Sequence, residues 1–152
     1  MKKISFLATA MLVSQLTHAA EVTLDVYKSP TCGCCTGWVK HIEDQGMVGV
    51  VHHPMNLTAV KDQFAIPANM RSCHTAVTKD GYIFEGHIPA KFIQAFLDQP
   101  PTKAKGLIVP AMPVGSPGME YNNQFMAYKV LQLNRDGSVE VYAEVNTPNG
   151  QI

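Results

Sequence analysis

Apolar and polar positions follow a definite order along the chain. Residues 22–27 alternate between the two classes, which predicts a strand, and residues 48–53 predict a second strand. Between them, apolar side chains recur at helical spacing up to a helix stop at Gly46; these side chains are Cys35, Trp38, Val39 and Ile42. The pattern therefore begins as strand, helix and strand.

The pattern continues with a short helix, a hairpin and a third helix. Val60 and Phe64 suit a short helix. A Lys-Asp-Gly turn at residues 79–81 joins two short predicted strands. Pro89 can open a helix; the predicted buried face of this helix consists of Phe92, Ile93, Phe96 and Leu97.

Residues 22–97 thus read as strand, helix, strand, helix, hairpin and helix, with a cysteine-rich turn before the first helix. A thioredoxin-like core requires this order, so the predicted fold class is α/β with a thioredoxin-like core. Residues 99–118 contain five prolines and three glycines with little periodicity, which predicts an ordered loop. Residues 125–145 predict a terminal hairpin. We expect a single metal-binding domain over residues 21–152, with residues 99–121 and the hairpin as a C-terminal extension.

The first twenty residues have the layout of a secretory signal peptide. Lys2 and Lys3 precede an apolar stretch that is too short to span a bilayer, and small residues follow it. Cleavage after Ala19 or Ala20 predicts a soluble domain exported to the periplasm, with an uncleaved membrane anchor as the alternative. Removal of two of the twelve basic residues leaves ten against twelve acidic ones, which predicts no nucleic-acid partner and no membrane contact.

Four cysteines in an exported chain ordinarily predict two disulfides, but here three of the four lie within four consecutive residues. Cys32 and Cys35 have C-x-x-C spacing at a predicted helix N-terminus, where free N–H groups and the helix dipole favour thiolate. Cys34 adds a third thiol between them, and a pairing with its neighbour Cys35 would be strained. Three soft sulfurs on one turn suit Cu(I), or less specifically zinc. The alternative is a plain Cys32–Cys35 structural disulfide.

Further candidate ligands lie elsewhere in the chain. Cys73 and His74 precede the third predicted strand, where a thioredoxin-like core faces the C-x-x-C turn, and His87 lies near the same end of the sheet. Met112 and Met119 bracket a turn-rich segment, and thioethers favour Cu(I). The alternatives are a buried free thiol or a disulfide for Cys73, hydrogen-bonded or solvated histidines, and methionines that only fill gaps in the core.

The remaining soft donors predict no site. His41 is interpreted as solvated on the first helix, and His52 and His53 as neighbours that point to opposite faces of a strand. Four other methionines are interpreted as packing residues; they are Met47, Met55, Met70 and Met126. No Walker loop, dinucleotide fingerprint, G-x-S-x-G or H-E-x-x-H sequence is present, so phosphoryl transfer and hydrolysis have no support.

Four separate motifs, in this order, resemble the CopG-type copper-resistance proteins, an exported family long described as a domain of unknown function. The motifs are Y-K-S-P-T-C-G-C-C at 27–35, S-C-H-T-A at 72–76, E-G-H-I-P at 85–89 and M-P-V-G-S-P-G-M-E at 112–120. The resemblance covers nearly the whole mature chain through Tyr121. It implies a thioredoxin-like fold, a cysteine-bridged copper cluster and a part in copper resistance, including interconversion of Cu(I) and Cu(II).

Three functions are compatible with these residues. The first is copper binding at the four cysteines, with histidine and methionine as auxiliary ligands and with copper ions and other periplasmic copper-handling proteins as partners. The second is a thiol–disulfide oxidoreductase with Cys32 as nucleophile and Cys35 as resolving thiol. The third is an adaptor domain held by Cys32–Cys35 and Cys34–Cys73 disulfides.

Overall fold

The computed structural model describes residues 21–152, so the predicted signal peptide lies outside the described residues. The strands are β1 (Thr23–Lys28), β2 (Val48–His52), β3 (His74–Thr78), β4 (Ile83–Glu85), β5 (Ala104–Ile108), β6 (Tyr128–Asn134) and β7 (Val139–Val145). The helices are α1 (Gly33–Asp44), α2 (Leu57–Gln63) and α3 (Ala90–Asp98), with short 3-10 turns at Ala68–Met70 and Pro148–Gln151. Within residues 21–152, no helix has the length and apolar character needed to cross a membrane.

All seven strands form one mixed sheet in the order β2-β1-β3-β4-β5-β6-β7. β1 runs parallel to β2 and antiparallel to β3, and β3 runs antiparallel to β4. This four-stranded arrangement with α1 between β1 and β2 is the thioredoxin-like core, and the predicted fold class is confirmed. Its consequence for function is that the turn after β1 and the residues before β3 meet at the same end of the sheet.

The apolar faces of the helices hold the core together. On α1 the four side chains predicted to be inward are all buried, and the Trp38 indole N–H donates to the Ile88 carbonyl at 2.8 Å. On α3 Ile93 and Phe96 are fully buried, whereas Phe92 and Leu97 pack against the core from a partly exposed position. The helical spacing of apolar side chains thus predicted both helices correctly.

The prediction of a continuous loop over residues 99–118 was wrong in one part, because β5 lies within it. β5 pairs in parallel with β4 and antiparallel with β6, and it joins the terminal hairpin to the core sheet. A Cβ atom at Gly106 would lie 1.8 Å from the Ile83 carbonyl oxygen, so only glycine permits this approach of the two strands. The same glycine removes a side chain from the alternating pattern, which is why the pattern failed to indicate a strand.

His41 is not simply solvated, which corrects the prediction from its helical position. It is half-buried, and its Nε2 accepts a hydrogen bond of 3.0 Å from the Ala90 backbone N–H at the start of α3. Only neutral imidazole can accept this bond. Burial lowers the His41 pKa below its usual range, against the opposing effects of Glu120 and Asp44.

We expect this hydrogen bond to make part of the stability depend on pH. Because the folded-state pKa of His41 is depressed, its contribution is complete above the ordinary histidine pKa and is lost as the pH falls through the folded-state value. The His41→Leu variant, which has no acceptor for this bond, should therefore be less stable than the unsubstituted protein at pH 7.5, and the gap should narrow by pH 5. Urea denaturation at a series of pH values measures this gap; a constant gap contradicts the assignment.

Candidate metal centre

The cysteine turn and the Cys73 segment are brought together by strand pairing. β1 ends at Lys28, which pairs with His74 at the start of β3. Cys32 then caps α1, and its sulfur accepts a hydrogen bond from the Cys35 N–H at 3.3 Å. The chain immediately after β1 and the residue immediately before β3 therefore lie side by side, so that Cys73 faces the first turn of α1.

The four cysteine sulfurs all lie within 4.8 Å of one another. Cys32 and Cys35 form a disulfide, and Cys34 and Cys73 are free. The Cys34 sulfur lies 3.5 Å from that of Cys32, and the Cys73 sulfur lies 3.2 Å from that of Cys35 and 3.9 Å from that of Cys34. Each free thiol thus contacts the disulfide. A second disulfide between Cys34 and Cys73, as the adaptor hypothesis predicts, is not formed.

Cys73 also belongs to a second group of donors, with His74 and His87. The His87 Nε2 lies 3.0 Å from the Cys73 sulfur, and its Nδ1 lies 2.8 Å from the Pro117 carbonyl oxygen. Because a carbonyl oxygen only accepts, Nδ1 carries the proton and Nε2 presents its lone pair to Cys73. Metal-binding histidines are commonly oriented by such a hydrogen bond from the ring nitrogen that does not hold the metal.

His74 supplies the test of whether a metal fits. It is completely buried, its Nδ1 lies 3.4 Å from the Cys73 sulfur, and its ring lies 4.3 Å from that of Trp38. Its Nε2 has no hydrogen-bond partner in the part of the chain that the structure describes. The ligand atoms of Cys73, His74 and His87 lie within 4.8 Å of one another, and a set of cysteine and histidine donors is suited to soft and borderline metals. The residues present therefore fit a metal ion.

Burial governs the ionisation of Cys73, His74 and His87. It lowers the pKa of His74 well below the usual range, with His87 and Lys61 adding to the effect, and it also lowers the pKa of His87. Both rings are consequently neutral at pH 7. Burial, reinforced by Cys34, raises the pKa of Cys73 to about 12. A metal must therefore displace a proton from Cys73, and metal binding at this residue releases that proton.

The turn-rich segment between the two candidate methionines packs against the first turns of α1. Gly118 adopts a φ of +83°, and a Cβ atom there would lie 2.4 Å from the Cys34 carbonyl oxygen and 2.6 Å from the Trp38 nitrogen. Only glycine allows this approach. It brings Met119, which is half-buried, next to the cysteine turn, whereas Met112 is 47% exposed. Both methionines remain predicted ligands.

A buried ion pair behind Cys73 was missed by the sequence-based prediction. The Lys61 ammonium lies 2.6 Å from the Glu85 carboxylate and donates to the Thr75 hydroxyl at 2.9 Å. The same carboxylate accepts from the Ser72 backbone N–H at 2.6 Å. Glu85 is therefore tied directly to the residue before Cys73. The signal that the sequence offered for this buried carboxylate is its position directly after the apolar pair Ile83-Phe84.

Other soft donors lie outside both groups. The His52 Nε2 lies 2.7 Å from the Asp25 carboxylate, and the His53 Nδ1 lies 3.1 Å from the Lys28 carbonyl oxygen. Met47 is buried as predicted. Met55 is fully exposed and Met126 is 58% exposed, so the prediction that these two serve as packing residues was wrong.

The fold and the site together define a class of protein: a thioredoxin-like domain whose C-x-x-C turn is expanded into a group of cysteines and histidines that can hold a metal. Two solved structures, both described as copper resistance protein CopG, resemble this chain. One is 41% identical with a TM-score of 0.78, covering 82% of this chain and 98% of its own. The other is 40% identical with a TM-score of 0.78, covering 84% and 99%. The chain belongs to the CopG family of copper-resistance proteins.

A family model agrees with this assignment. The model described as "Protein of unknown function, DUF411" matches residues 70–119, which include Cys73, both candidate histidines and both candidate methionines. No curated protein sequence matches the chain. The resemblance inferred from the four motifs is thus confirmed.

Proposed function

We propose that this chain is an exported copper-binding protein that holds Cu(I) in a cysteine-bridged cluster and thereby contributes to copper resistance. The observation that carries the proposal is the convergence of four sulfurs within 4.8 Å of one another at the N-terminus of α1. Similarity to copper resistance proteins over most of the chain supports copper as the metal. After cleavage of the predicted signal peptide, the domain over residues 21–152 would act in the periplasm.

The donor set agrees with Cu(I) chemistry. Thiolates and thioethers are soft ligands that favour Cu(I), and a thiolate can bridge two metal ions. We assign the four cysteines as principal ligands and the others as auxiliary ligands, namely His74, His87, Met112 and Met119. Zinc accepts cysteine and histidine as well and would compete for part of the same set. Copper ions and other periplasmic copper-handling proteins are the proposed partners.

The disulfide gives the cluster a redox function in this proposal. When the Cys32 and Cys35 thiolates are oxidised to their disulfide, two electrons are released, which is the number required to reduce two Cu(II) ions to Cu(I). An external dithiol reductant then restores the thiols by thiol–disulfide exchange, and its own thiols become oxidised. The two sulfurs are therefore assigned both as ligands and as electron donors for the interconversion of Cu(I) and Cu(II).

The proposal is tested by anaerobic titration of the fully reduced domain over residues 21–152 with Cu(I). We expect more than one Cu(I) ion per chain to be tightly bound and Cys34→Ser to bind fewer, because Cys34 is dispensable for C-x-x-C chemistry but not for a bridged cluster. The Met55→Leu variant is the matched control, since it removes an exposed soft donor outside the site. Absence of tight binding contradicts the proposal.

The Cys32–Cys35 disulfide supports a second function, a thiol–disulfide oxidoreductase. The two cysteines have a Cα–Cα separation of 5.4 Å at a helix N-terminus, where the first thiolate is stabilised. This function predicts disulfide-reductase activity without metal that is lost in Cys32→Ser and retained in Met119→Leu. If the domain reduces disulfides and binds no Cu(I), this second function replaces the first.

A further inference from the structure

Gln151, in the 3-10 turn that follows β7, joins the terminal hairpin to the turn-rich segment, residues 113–118. Its side-chain amide nitrogen lies 2.9 Å from the Gly115 carbonyl oxygen, and its amide oxygen lies 2.6 Å from the Tyr128 hydroxyl at the start of β6. Because a carbonyl oxygen only accepts hydrogen bonds, the amide nitrogen is the group that faces Gly115. The amide oxygen is therefore the acceptor for Tyr128.

Hydrogen bonds within the turn-rich segment make it a single unit. The Gly115 N–H donates to the Met119 carbonyl at 2.9 Å, and the Met119 N–H donates to the Ser116 carbonyl at 2.8 Å. Ser116 is completely buried, and its hydroxyl donates to the Pro113 carbonyl at 2.7 Å. A segment bonded to itself in this way moves as one body, so a bond that fixes Gly115 also fixes the residues that follow it.

The turn-rich segment contacts the metal centre through Pro117, two residues after Gly115. The Pro117 carbonyl oxygen lies 2.8 Å from the His87 Nδ1, and the His87 Nε2 lies 3.0 Å from the Cys73 sulfur. Pro117 is buried, and His87 is completely buried. A continuous series of contacts therefore connects Gln151 to the Cys73 sulfur.

Both hydrogen-bond partners of Gln151 are shielded from water. Gly115 is buried, and Tyr128 is 8% exposed. Burial raises the pKa of Tyr128 above its usual range, and Glu120 adds to the effect, so the phenol keeps the proton that it donates. Loss of the Gln151 amide would leave both of these buried groups without this partner, which is costly. The amide is thus a defined connection between the hairpin and the turn-rich segment.

We propose that Gln151 is a positioning residue for His87. Through its bond to Gly115 it holds the Pro117 carbonyl in place, and this carbonyl keeps the ring proton of His87 on Nδ1. The Nε2 lone pair then stays directed toward the cysteine group. The terminal hairpin thereby supports the metal centre from a distance. The use of this orientation by copper rests on the proposed copper function, whereas the orientation itself is a property of the metal-free protein.

The first measurement is the pair of ring 15N chemical shifts of His87 in the oxidised, metal-free domain. In the unsubstituted protein we expect the widely separated shifts of a ring whose proton is held on Nδ1. Gln151→Met removes both hydrogen bonds at similar volume, so the proton should distribute between the two nitrogens and the shifts should approach each other. Gln151→Glu still accepts from Tyr128 but cannot donate to Gly115, and it should have the same effect. Tyr128→Phe leaves the bond to Gly115 and should keep the original shifts.

The second measurement is Cu(I) affinity of the reduced domain in competition with a coloured Cu(I) chelator. Gln151→Met should bind Cu(I) about tenfold more weakly, the lower end of the loss that follows when a metal-binding residue is no longer oriented. The double variant Gln151→Met/His87→Ala should bind no more weakly than His87→Ala alone, because Gln151 acts through His87. The matched control is Gln94→Met, since the Gln94 amide donates to the Gln45 carbonyl at 3.0 Å, outside the turn-rich segment. It should change neither the shifts nor the affinity.

The two measurements separate failure of this proposal from failure of the copper function. Unchanged His87 shifts in Gln151→Met overturn the proposal, as does a loss of affinity that persists in full when His87 is already alanine. If Gln151→Met does not fold, the shifts in Gln151→Glu decide; if neither variant folds, Gln151 has only a structural role and the proposal is overturned. If the unsubstituted protein binds no Cu(I), the copper function fails, and the ring shifts still decide whether Gln151 positions His87.

Discussion

The Glu85→Ala variant is expected to lose about 3–5 kcal/mol of the free energy of unfolding, because it leaves the buried Lys61 ammonium unpaired. Neither side chain has appreciable exposure: 6% for Lys61 and 0% for Glu85. The variant also removes the acceptor for the Thr75 hydroxyl and for the Ser72 N–H. Urea denaturation of the oxidised, metal-free domain measures the loss, and a change below 1 kcal/mol contradicts the assigned role of this pair.

A double variant separates the stability of the fold from the geometry of the site. In Lys61→Met/Glu85→Leu both charges are replaced by apolar side chains of similar length, and such replacements often recover the stability lost when one partner is removed. The Ser72 N–H still lacks its acceptor, however, and Ser72 precedes Cys73 directly. We therefore expect the double variant to recover the part of the stability that the unpaired Lys61 charge costs in Glu85→Ala, and still to bind Cu(I) more weakly. Full recovery of both properties would limit Glu85 to a structural role.

Much of the fold was predictable because hydrophobic periodicity decides it. The helical spacing around Trp38 and the alternation along residues 22–27 placed α1 and β1, and the order of elements placed Cys73 opposite the cysteine turn. β5 was not predictable in this way. Its centre is Gly106, which is required by close contact with Ile83 on the neighbouring strand. The requirement for glycine at this position comes from the neighbouring strand, so the local pattern of apolar and polar residues does not indicate it.

The sequence predicted the donor residues of the candidate site but not the buried residues that lie behind them. Cys73 and His87 stood out because few soft donors fall at the correct end of a thioredoxin-like sheet. The residues behind them are common types whose importance arises from burial. Nothing in the sequence marks Lys28 and Lys61 as buried, yet as whole residues they are only 4% and 5% exposed. Burial of a lysine depends on packing across several elements, so a single sequence pattern does not reveal it.

Cys73→Ser is expected to weaken Cu(I) binding by at least about 100-fold, more than any other single substitution in the site. Cys73 is shared between the two donor groups, since its sulfur lies 3.2 Å from that of Cys35 and 3.0 Å from the His87 Nε2. A serine hydroxyl is a hard donor that Cu(I) does not favour. Loss of a residue that only orients a ligand costs about 10–100-fold in metal affinity, so loss of a ligand common to both groups costs more.

The comparison variants for Cys73→Ser are Cys34→Ser and His87→Ala, each of which belongs to one donor group only. Competition with a Cu(I) chelator should therefore rank Cys73→Ser as the weakest of the three. The same variant also separates the two proposed functions, because it leaves the Cys32–Cys35 pair intact. Lost Cu(I) binding with retained disulfide-reductase activity would show that copper binding requires Cys73, whereas thiol–disulfide exchange does not. Unchanged Cu(I) affinity would mean that copper is not held at Cys73, and the copper site would then have to be restricted to the turn at the start of α1.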